Sequence, residues 1–80
     1  MKRNERKKAV LGFLARQSRA HSVAEIGWAV RVPYHHGGLR RLLLNYLKWG
    51  LLSRRFTGRV AFYSVTDRGR ARLAWLTRNI

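Results

Sequence analysis

Cysteine is absent from these 80 residues, proline occurs once, and acidic side chains number three against eighteen lysines and arginines. Without a thiol, neither a disulfide nor a thiolate metal site can form. No apolar run approaches the roughly 20 residues needed to span a bilayer, so no membrane partner is expected. The basic start, residues 1–8, leads into no signal-type apolar stretch with a cleavage site, so the expected location is cytoplasmic. The three carboxylates, Glu5, Glu25 and Asp67, lie far apart, and no glycine-rich phosphate loop accompanies them. Too few groups remain for acid, base and nucleophile roles, so no enzyme, no cofactor and no small-molecule substrate is expected. Nor do His21, His35 and His36 read as a metal site, because adjacent histidines on a helix diverge by about 100° and no acid stands near them.

What is present is positive charge. The formal net charge is +15, and fourteen of the eighteen cations are arginine. A surface this basic repels itself and calls for a polyanion, and nucleic acid answers that need because neutralised phosphates release condensed counterions. Arginine adds a planar fork that fits phosphates and guanine edges. With 46% hydrophobic residues and nine aromatics, the chain also has the material for a core. Its length suits one domain, spanning 1–80, with residues 1–4 as a basic arm.

The periodicity changes along the chain. Asn4-Glu5 opens a helix whose apolar stripe, Val10, Leu11 and Leu14, runs to about Arg19, with Gly12 read as a close packing point. Ser22-Val23-Ala24-Glu25 is a capping box for a short second helix carrying Val23, Ile26 and Val30 on one face. A third helix opens at Pro33 or Tyr34 and runs to about Trp49, where Gly50 ends it. Its buried stripe is Leu39, Leu42, Leu43, Tyr46 and Leu47; His36, Arg40, Arg41, Leu44 and Lys48 fall on the other side. Two β-rich runs around Thr57-Gly58-Arg59 read as a hairpin, and Thr66 caps a last helix reaching about Arg78.

Three helices, a two-stranded β-hairpin and a C-terminal helix, an α+β order, are the layout of a winged helix-turn-helix. Gly50-Leu51-Leu52 after the third helix, followed by Tyr63-Ser64-Val65-Thr66-Asp67-Arg68-Gly69-Arg70 after the hairpin, resembles the winged-helix regulators of the MarR and PadR type. The similarity covers most of residues 5–78 and extends to small winged-helix proteins of archaea and their viruses. What the resemblance implies is a domain that recognises double-stranded DNA, frequently as a homodimer through its terminal helices, to control transcription; nucleoid association follows from that. No long dimerisation helix of the kind those families carry is expected within these residues, so a homodimer is left open.

The recognition helix, about 34–48, then enters the major groove, and the wing, about 52–65, meets the adjacent groove or backbone. Candidate DNA contacts are Tyr34, His35, His36, Arg40, Arg41, Asn45 and Lys48 on the helix, with Arg54, Arg55 and Arg59 on the wing. Gly37-Gly38 suits close approach of backbone to DNA or a first turn that orders on binding. Phe13, Tyr46, Phe62 and Tyr63 read as core. Trp28, Trp49 and Trp75 also read as buried, with a dimer seam at Trp75 as the alternative. Two further readings stay open: an architectural protein that coats DNA with little selectivity, and an RNA-binding protein.

Overall fold

The apolar stripe near the start becomes α1 (Arg3–Ala15), which buries Val10, Leu11 and Leu14. The computed structural model describes residues 3–30 and 36–79. Helix α1 takes in Arg3 and Asn4, part of the segment expected as an arm, and stops at Ala15 instead of near Arg19. The amides of Arg16 and Gln17 turn back onto the carbonyls of Phe13 and Leu14, at 3.1 and 3.2 Å, in the tight pattern that closes a helix. The chain is then drawn into a strand that sequence did not announce. β1 (His21–Ser22) pairs antiparallel with β3 (Val60–Val65), matching His21 to Tyr63 and Ser22 to Phe62.

Ser22 is both the end of that strand and the cap of α2 (Val23–Val30), which buries Ile26. The next helix, α3 (His36–Lys48), buries Leu39, Leu43 and Tyr46. The expected opening at Pro33 or Tyr34 lies outside the described residues. Gly50, at a φ of 76°, ends the helix: its N–H donates to Leu47 O at 3.0 Å, and the Leu51 N–H donates to Tyr46 O at 2.9 Å. This left-handed cap satisfies the last carbonyls and turns the chain sharply into the sheet.

β2 (Leu52–Thr57) and β3 form the hairpin, paired from Leu52–Val65 out to Thr57–Val60 around Gly58, whose φ is 62°. The sheet order is β1-β3-β2. Helix α4 (Asp67–Asn79) returns to pack against α1, burying Leu76. Leu51, Leu52 and Tyr63 join the helices in one core, where each fully buried leucine contributes about 1.5–3 kcal/mol. The architecture is the expected α+β winged helix, with a third strand added to the two-stranded wing.

Several core expectations need correcting. Trp28 is 85% exposed, Trp49 47% and Trp75 44%. The buried stripe of α2 runs through Ile26, and a residue two positions on points about 200° away from it, which sends Trp28 outward. Phe62 cannot share the face of Tyr63, because strand side chains alternate, and it is half-buried on the other side. Gly12 meets no tight contact: a Cβ there would lie 3.4 Å from Arg16 Nη1 and 3.9 Å from Leu73 Cδ1.

Candidate nucleic-acid interface

Helix α2 is held at its start by reciprocal bonds. The Ser22 N–H donates to Glu25 Oε1 at 2.9 Å, the Glu25 N–H donates to Ser22 Oγ at 3.3 Å, and Arg19 Nη2 reaches Glu25 Oε2 at 3.1 Å. The Ser22 amide first, then the Arg19 guanidinium, holds the Glu25 carboxyl down from 4.5 to about 2. Of the three acids, one is thereby occupied in fixing the helix that braces α3.

The two sides of α3 are sharply divided. Arg40, Arg41, Leu44, Asn45 and Lys48 are exposed, while Leu39, Leu43 and Tyr46 are inside. Arg41, Leu44 and Lys48 repeat at intervals of three and four and so share a face, with Arg40 on its flank. No acidic residue occurs anywhere in this helix. His36 opens α3, whereas Tyr34 and His35 lie outside the described residues.

In the wing, register separates the two neighbouring arginines. Arg54 pairs with Tyr63 and shares its side with Leu52 and Phe56; Arg55 pairs with Phe62 and takes the other side. Arg54 lies over the Phe56 ring, 4.9 Å from its centroid. Arg59 follows the left-handed Gly58 in the turn, and all three arginines are exposed. Because α3 packs on β2 and Gly50 joins them, the helix and wing cations sit on one continuous framework.

Sequence reasoning missed Arg19 and Arg70. A cleft of about 620 Å³ brings both beside Arg54 and Arg55, together with Ser53 and Ser64. The two serine hydroxyls are 2.9 Å apart, and Arg70 Nη1 donates to Ala15 O at 3.3 Å. No acid lines this cleft among the described residues. Only the pairing of β1 with β3 places residues 17–20 near the hairpin, and a two-residue strand leaves no periodic signal. Among the described residues, no helix is long and apolar enough to cross a membrane, and no cluster of His, Cys, Asp or Glu could hold a metal ion.

No family model and no curated protein matches the chain in sequence. Solved structures match it in fold. MepR, a transcription regulator of the Staphylococcus aureus multidrug efflux pump MepA, aligns over 91% of this chain and 54% of its own, with a TM-score of 0.77 and 21% identity. A MepR variant is known bound to an oligodeoxyribonucleotide. Sco5413, a MarR family transcriptional regulator from Streptomyces coelicolor, aligns over 90% of this chain and 50% of its own, with a TM-score of 0.77 and 20% identity. Sso10a-2, a DNA-binding protein from Sulfolobus solfataricus, aligns over 90% of this chain and 74% of its own, with a TM-score of 0.72 and 11% identity. The chain spans about half the length of the two regulators. It has their winged-helix fold.

Proposed function

We propose that the chain is a double-stranded DNA-binding protein that controls transcription, with α3 in the major groove and the wing on the adjacent groove or backbone. The observation that carries this is the division of α3: its leucine side is anchored in the core while Arg40, Arg41, Asn45 and Lys48 stand in solvent with no acid on the helix. Arginine pairs bidentately with guanine, asparagine with adenine, and an apolar side chain such as Leu44 meets a thymine methyl. Lys48 supplies a phosphate contact. The N-terminal residues of a recognition helix reach base edges, so His36, which opens α3, and Tyr34 and His35, ahead of it in sequence, complete the proposed contacts. Arg54, Arg55 and Arg59 then hold backbone or a narrow minor groove from the two sides of the wing.

The fold shared with MepR, Sco5413 and Sso10a-2 supports the reading, since the first two are transcription regulators and the third is a DNA-binding protein. Selection of bound sites from a random duplex library tests it. An enriched motif is expected, and a palindromic one would report a homodimer. Equal retention of all sequences would overturn the regulator in favour of an architectural coat. Tighter binding to structured RNA than to duplex at matched salt would overturn DNA as the partner.

A further inference from the structure

Away from the leucine stripe, Leu51, Arg68 and Arg72 line two adjoining clefts, of about 580 and 400 Å³. Trp49 forms a wall of the first and Trp75 a wall of the second, so the pair makes one trough with an indole in each half. Lys7 and Lys48 complete the first half. Both indoles are close to half exposed, at 47% and 44%. Each also has a cation near its ring: Lys7 Nζ lies 5.1 Å from the Trp49 centroid and Arg72 Cζ 5.6 Å from that of Trp75. Among the described lining residues there is no acid, and the polar side chains are all donors.

We infer that this trough binds an unpaired nucleic-acid strand, with bases stacking on Trp49 and Trp75 and phosphates held by Lys7, Lys48, Arg68 and Arg72. A single strand alternates flat π-faces with acceptor-only charges, and the trough alternates indoles with donor-only cations; this is the chemistry of sequence-tolerant strand binding. A second copy of the chain does not fit. A twofold contact would bring the same four cations against their counterparts, and like charges would oppose it. A lipid surface does not fit either, because the rings line concave walls instead of projecting. Lys48 belongs to both α3 and the trough, so the cationic surface proposed for duplex runs into the one proposed for a strand.

The test titrates the full chain with a labelled twelve-nucleotide oligothymidylate and, separately, with a blunt duplex. In a Trp28→Phe chain the remaining indoles are Trp49 and Trp75, and the oligothymidylate quenches their emission. Trp49→Ala/Trp75→Ala lowers oligothymidylate affinity at least about thirtyfold, from two lost base stacks, and changes duplex affinity less than about threefold. Trp49→Phe/Trp75→Phe, which keeps a ring at each position, stays within about fivefold of the parent and guards against a folding defect. Absence of quenching, an undiminished affinity in the alanine variant, or equal displacement by polyglutamate of matched charge would overturn the proposal. The last result would assign the trough to an acidic protein. Loss of duplex binding in the parent chain would count against the transcription reading and leave the strand measurement intact.

Discussion

Thr66 Oγ1 donates to the Gly50 carbonyl at 2.6 Å and accepts from the Gly69 N–H at 3.0 Å. The Thr66 N–H donates to Leu51 O at 3.1 Å. One residue therefore fastens the end of α3, the base of the wing and the start of α4. Two sequence motifs sixteen residues apart, Gly50-Leu51-Leu52 and Thr66-x-x-Gly69, occur together because they are halves of this junction.

Removing the hydroxyl tests the junction. Thr66→Val loses a helix cap and leaves the Gly50 carbonyl without its donor, so stability falls by about 2–3 kcal/mol. Thr66→Ser keeps the hydroxyl and falls by less than about 1 kcal/mol. Urea unfolding of both variants, compared at equal m-value, measures the difference.

Two glycines in helices should respond in opposite directions. A Cβ on Gly69 would collide with the Leu51 carbonyl, and with Val65 Cγ2 at 2.7 Å, so Gly69→Ala costs about 2–3 kcal/mol through displaced backbone. Gly12 has room and its nearest neighbour is the flexible end of Arg16, so Gly12→Ala stabilises by about 0.5–1 kcal/mol. Thermal unfolding of the two single variants checks both signs.

Glu25 gives a pH dependence. Its carboxyl is held at about 2, below the ordinary 4.5, so its contribution to folding is complete above the unfolded value and is lost as pH falls through about 2. The stability gap between the parent and Glu25→Gln should therefore be constant above about pH 5.5 and shrink progressively towards pH 2. Denaturant midpoints across that range measure it. The Arg19 pair is exposed and open to screening, so added salt should narrow the gap slightly.

Much of this was legible in the residues. The capping box at Ser22 and Glu25, the Gly50 stop, the Gly58 turn and the Thr66 cap are local devices, and each appears where its chemistry is written. What was not legible depends on distant pairing. β1 is two residues long, so its existence, the early end of α1 and the approach of Arg19 and Arg70 to the wing follow only from β3. The tryptophans misled for a different reason. Their bulk argues for burial, yet Trp28 and Trp75 lie beside an apolar stripe instead of on it, and Trp49 follows the last residue of α3, where the packed stripe has ended, so position prevails over side-chain hydrophobicity.

The most direct measurement is duplex affinity across a salt series for the parent chain, Arg40→Ala/Arg41→Ala and Arg55→Ala/Arg59→Ala. With about 6–10 phosphates neutralised, the parent should lose about 10³- to 10⁵-fold in affinity between about 50 and 200 mM salt. The α3 variant should lose about 1–3 kcal/mol for each base contact removed, together with its preference for the selected site. The wing variant should weaken all sequences alike, with a salt slope shallower by about one for each phosphate contact. A flat salt response, or full affinity and preference without Arg40 and Arg41, would contradict the placement of α3 against paired bases.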